Sequence, residues 1–244
     1  MDKYSETIRN LALDLTRTPS VVGTGGEIHV ANKVYDNLSR LRYFKDNPEN
    51  LKLMDVKNDS LRRKYVIAIV ESEHKVLDTV LLLGHIDTVG VEDYGDLKDF
   101  ATVPKTLKEK LKDKKFPSEI VKDINSDNWI FGRGIFDMKM GVAALMTMVE
   151  EFSRQCHKMQ ANLVFIAVPD EEGNSAGMLS AVQDLADMSE ARGWQFIAAI
   201  DTDYMTGKYS GDDKKYVYIG TVGKLLPCFY VWQGDSRGRS LPRP

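Results

Sequence analysis

The chain has 244 residues, 43% of them hydrophobic and 28% charged, with a formal net charge of -3. That length and balance suit one large globular domain, or one and a half, with a sizeable core. Nothing in the charge calls for a nucleic-acid or membrane partner, and no apolar run approaches the length of a membrane span. The N-terminus shows no signal-peptide pattern, and Cys156 and Cys228 lie far apart without metal-type spacing, so reduced thiols in the cytoplasm are expected. His29, His74, His85 and His157 are the whole supply of imidazole.

Residues 4–15 place Ile8, Leu11, Leu13 and Leu15 near helical period, and Thr18-Pro19-Ser20 stops that helix. Gly23, Gly25 and Gly26 make a loop ahead of a second helix over 27–41, with Val30, Ala31, Val34 and Leu38 on its inner face. These glycines follow no apolar strand and lack the lysine and hydroxyl of a phosphate-binding loop, which sets that function aside. Strands are expected over 51–56 and 65–70. From Val80 to Leu83 four apolar residues in succession predict a strand buried on both faces, broken at Gly84. His85 and Asp87 then stand two apart, so in extended chain they leave on the same side. A neutral imidazole binds a metal through one nitrogen while a carboxylate sets its tautomer. The same pair also fits a strand end with two solvated polar residues.

Residues 92–129 are long, heavily charged and of mixed sign, the pattern of a solvated surface insertion whose helical part is framed by Pro104 and Pro117. Gly132 and Gly134 then give a tight turn, and Asp137 sits just ahead of a helix carrying Val142, Leu145, Met146 and Val149. A carboxylate there is favoured by the helix dipole, whether as a ligand or as a plain N-cap. A strand over 162–168 ends on Pro169 and is followed by Asp170, Glu171 and Glu172. Three successive carboxylates repel one another unless something cationic sits among them, a divalent metal being one such partner. Successive residues point apart, so Glu171 and Glu172 have different tasks, one as ligand and one moving a proton. A last strand, FIAAI, ends on Asp201, with Asp203 two residues on. Histidine and carboxylates past the ends of apolar strands are what open α/β sheets use to build sites, and without cysteine they suit zinc, manganese or cobalt.

LLLGHIDTV, GRGIFDMKMG and PDEEGNSAG together resemble the three signature motifs of the di-zinc aminoacylase and carboxypeptidase family, which includes peptidase T, carnosinase and succinyl-diaminopimelate desuccinylase. Longer stretches around the same motifs are most similar to its arginine-utilisation branch. The resemblance implies a three-layer α/β/α fold with a mostly parallel mixed sheet, and two divalent metal ions, zinc first, with cobalt or manganese as alternatives. It implies His85 on one metal, Asp87 orienting that histidine, Asp137 bridging both metals, Glu172 on the second metal, and Glu171 as general base. Either Asp201 or Asp203 completes the first metal. It further implies a cis peptide bond between Asp137 and Met138. The implied reaction is hydrolysis of an amide bond in a small peptide or an N-acyl amino acid.

By the same resemblance, residues 1–220 form the N-terminal part of a catalytic domain, 221–230 enter a lid or dimerisation domain, and 231–244 are an atypical basic tail. The lid is largely absent from this sequence, and so is the part that would return with a final histidine ligand. Two functions are therefore expected: a cytoplasmic metal-dependent amidohydrolase, or a catalytically incomplete fragment that binds metal or a partner without turnover. The substrate and the oligomeric state are left open.

Overall fold

Apolar residues at helical spacing open the chain as α1 (Lys3–Thr16) in the computed structural model, which describes residues 3–209 and 211–220. Helix α2 (Gly26–Ser39) stops two residues short of the expected end, because Leu41 adopts an extended backbone before the short α3 (Arg42–Asp46). The strands are β1 (Leu51–Asp55), β2 (Lys64–Val70), β3 (Asp78–His85), β4 (Asn162–Val168) and β5 (Gln195–Asp201). Between β3 and β4 lie α4 (Pro104–Leu111), α5 (Ser118–Asn125) and α6 (Met140–Ser153), and α7 (Ala176–Arg192) links β4 to β5.

The strands form one sheet in the order β1-β2-β4-β3-β5. Strand β2 runs antiparallel to both β1 and β4, while β3 is parallel to both β4 and β5. The sheet is thus mixed, as the resemblance implies, with two of its four pairings parallel. The reason lies in the connections: a short turn joins β1 to β2, whereas parallel neighbours need the long crossovers that α6 and α7 provide. Val66, Ala68, Leu163, Phe165 and Leu82 meet α1, α2 and α6 on one face. Ile67, Ile69, Leu81, Val164 and Ile166 meet Ala181 and Leu185 of α7 on the other. Both faces being covered, β4 is buried along its whole length, which is why its sequence is a continuous apolar run. Strand β5 is an edge strand and is exposed throughout, with Ile197 and Ile200 open to solvent.

The charged excursion is a surface feature with its own apolar anchors, Leu97, Leu107 and Ile124. Its mixed charges pair locally, as in Lys114–Asp96 at 2.5 Å and Lys112–Glu109 at 2.8 Å. Pro104 and Pro117 each open a separate helix, where a missing N–H costs nothing, instead of bracketing a single one. The chain divides into two compact units, Met1–Tyr204 and Met205–Pro244. Described residues of the second contain no helix or strand; Tyr216 donates its hydroxyl to Asp212 at 2.7 Å. Residues 221–230 and 231–244, expected as lid entry and tail, lie outside the described residues.

Candidate metal centre

Three neighbouring parallel strands, β3, β4 and β5, end on the same side of the sheet, and each delivers polar residues there. Strand β3 ends on His85, which is 2% exposed, and the next residues place Asp87 at 0%. Asp137 comes from an irregular turn, Ile135–Lys139, just before α6, and the Asp137–Met138 peptide bond is cis. Glu171 and Glu172 sit in the loop after β4. Ligand atoms of His85, Asp137 and Glu172 all lie within 4.8 Å of one another.

The imidazole is held from both sides. Nε2 stands 2.9 Å from Asp137 Oδ1, and Nδ1 stands 3.2 Å from the Asp87 carbonyl and 3.5 Å from its carboxylate. Asp87 also accepts the backbone N–H groups of Glu171 at 3.1 Å and Glu172 at 3.0 Å, one on each oxygen. A single buried carboxylate therefore fixes the ring from β3 and the glutamate loop from β4. This second task of Asp87 has no signal in the spacing of the motif. Glu171 is half exposed, with Oε2 4.0 Å from His85 Nε2. Asp201 accepts the N–H of Asp203 at 3.1 Å, and neither belongs to the close trio. A Cβ on Gly141 would fall 2.3 Å from the Thr202 carbonyl, so only glycine lets residues 201–203 lie against the first turn of α6.

Burial opposes charge on His85, but the hydrogen bond and charge of Asp87, helped by Asp137 and Glu171, prevail and raise the imidazole to about 9. Burial raises Glu171 and Glu172, and desolvation of its carboxyl end raises Asp201 although the residue as a whole is exposed, with neighbouring carboxylates adding to each. Lys139, two residues past Asp137, is fully buried and donates to the Thr18 carbonyl at 2.9 Å. Burial brings its ammonium down to about 7, although the charge of Asp87 works the other way.

The acidic run divides its labour in a way that its spacing does not announce. Asp170 turns inward and meets Arg63 at 2.5 Å, while Glu172 joins the trio and Glu171 stands 4.0 Å from His85. Part of the cationic partner demanded by three consecutive acids is thus a guanidinium. One imidazole and two carboxylates, without thiolate, fit a borderline divalent ion such as zinc, cobalt or manganese. His74 is occupied elsewhere, against the His157 carbonyl at 2.7 Å, and none of His29, His74 and His157 joins the trio. Cys156, a buried free thiol, faces the Phe152 and Ser153 carbonyls at the end of α6.

Comparison with known proteins agrees with this architecture. The chain is 35% identical to Protein RocB of Bacillus subtilis over 228 residues, covering 93% of this chain and 40% of that protein. It is also 35% identical to the uncharacterized protein YqjN of the same organism, over 90% of this chain and 40% of the relative. The chain therefore spans about two fifths of the length of these relatives. Human carnosine dipeptidase 1 shares the fold with a TM-score of 0.56 at 17% identity, over 83% of this chain and 39% of that one. The model of peptidase family M20/M25/M40 matches residues 81–210, a span that takes in the second half of β3, the Asp137 turn, the glutamate loop and β5. More than half of the sequence lies within that match, and the chain belongs to this peptidase family.

Proposed function

We propose that this chain is the metal-binding part of a cytoplasmic hydrolase of amide or peptide bonds, of the RocB kind, acting on small peptides or N-acyl amino acids in arginine utilisation. The observation that carries the proposal is the meeting of His85, Asp137 and Glu172 within 4.8 Å at the ends of parallel strands. In this reading two divalent ions, zinc first, would be held by His85, Asp137, Glu172 and one of Asp201 and Asp203. Such ions supply Lewis acidity, lowering the pKa of water and polarising the scissile carbonyl.

The chain's own groups do the rest. Asp87 keeps the Nδ1 proton of His85 turned away from the metal side, which presents Nε2 as the donor. Glu171, half exposed and raised by its partly buried, acidic surroundings, takes the proton of the attacking water and returns it to the leaving amine. Metal content after dialysis, measured by mass spectrometry in the native chain and in His85→Ala, tests the first part. Equal content in both would overturn it. Glu171→Gln is expected to keep the metal and lose amidase activity, whereas loss of metal would exchange the roles of the two glutamates.

A second reading, metal binding without turnover, is favoured by one fact: the trio holds a single imidazole, and none of the other three histidines joins it. Metal bound at full occupancy with no activity on any N-acyl amino acid or dipeptide tested would select it.

A further inference from the structure

Four charged side chains far apart in sequence meet in the interior behind the glutamate loop. Arg63, the residue before β2, is 6% exposed. Its Nε and Nη2 fork onto Asp59 at 3.0 and 2.9 Å, while Nη1 reaches Asp170 at 2.5 Å and both Glu27 oxygens at 3.4 Å. Glu27 is fully buried and Asp170 is 3% exposed. A planar guanidinium with five donors is the one side chain able to meet three carboxylates in fixed directions at once.

What this cluster holds is the start of the loop. Asp170 has a left-handed backbone, φ 70°, and is tied at every polar atom. Its N–H donates to Glu27 at 3.0 Å, and its second carboxylate oxygen accepts from Ala176 at 3.0 Å. Its carbonyl accepts from Gly173 at 3.3 Å and Ser175 at 2.6 Å. Residues 170–176 are thereby closed into a ring that starts on Arg63. With Asp170 so turned, the next two N–H groups aim at Asp87, and Glu172 reaches His85 and Asp137.

We infer that Arg63 is a positioning residue: clamping Asp170 against Glu27 and Asp59, it sets the direction of Glu171 and Glu172 and so the affinity of the site for metal. The inference rests on the metal-site reading above. The test compares Arg63→Lys with Asp59→Asn in the full chain. A lysine keeps the charge but cannot fork to Asp59 and also hold Asp170. Asp59→Asn weakens the far side of the same cluster while leaving the Arg63–Asp170 contact in place. Cobalt(II) titration, read by the visible spectrum of the ion, is expected to weaken by about tenfold or more in Arg63→Lys and to stay within about twofold in Asp59→Asn. Amide hydrogen exchange at Glu171 and Glu172 is expected to quicken in Arg63→Lys alone.

Both variants are expected to lose stability, so a fall in melting temperature by itself decides nothing; the split in affinity and exchange does. Native affinity, spectrum and exchange in Arg63→Lys, or equal losses in both variants, would overturn the inference. If the native chain itself shows no cobalt band, the metal-site reading fails, and the exchange rates still decide whether Arg63 sets the loop.

Discussion

His85 and Lys139 are buried titratable residues that both feel the charge of Asp87, and their protons pull stability in opposite directions with pH. His85 is raised from 6.5 to about 9, so the folded chain binds its proton more tightly than the unfolded chain does. That contribution is complete below 6.5 and is lost as pH rises through 9. Lys139 is lowered from 10.5 to about 7, so between those values the unfolded chain holds a proton that the folded chain has released. Stability from this source rises with pH over that window. Between pH 7 and 9 the two slopes oppose each other, and the metal-free protein is expected to show nearly flat stability. His85→Asn should leave a rise of about 1.4 kcal/mol per pH unit, and Lys139→Met a fall of similar size. Urea unfolding in the presence of a chelator reads both, and identical pH profiles in the two variants would dismiss the account.

The turn that delivers Asp137 depends on Gly134, whose φ is 77° and whose added Cβ would fall 2.3 Å from the Thr88 methyl. Gly134→Ala is therefore expected to cost about 1–3 kcal/mol and to loosen metal binding, as denaturant unfolding and metal titration would show. An unchanged midpoint would mean that the turn has another way to form. Elements with a strong local signal are legible in the sequence: α1 and α2 from their period, β2, β3 and β4 from continuous apolar runs, and the polar residues that follow those strands. The edge position of β5 is not, because FIAAI looks the same whether a strand is central or peripheral. Nor is the Arg63 cluster, since Glu27, Asp59, Arg63 and Asp170 share no period and meet only through tertiary packing. One hint exists: an acidic triplet after a buried strand needs a cation, and Arg63 lies just before the start of β2, a strand that pairs with β4.

Across the molecule, the sheet has a blunt side and an open one. Strand β1 is short, while β5 presents Phe196, Ile197 and Ile200 to solvent along an exposed edge. Such an edge templates association. The described fold is expected to bind an apolar dye and to self-associate with rising concentration, and Ile197→Lys with Ile200→Lys should reduce both in light scattering. Unchanged scattering would place the association elsewhere. The parallel register of β3 on β4 also has a kinetic meaning. His85 and Asp137 are 52 residues apart, and Asp87 and Glu172 are 85 apart, so the contacts that join the separate segments of the centre each close a long loop of chain. Contacts of that kind form after local helices and hairpins, because chain entropy must be lost before they return anything. An ion added during refolding therefore meets no preassembled nucleus; it captures molecules whose central strands have already paired, and slows their unfolding more than it hastens their folding.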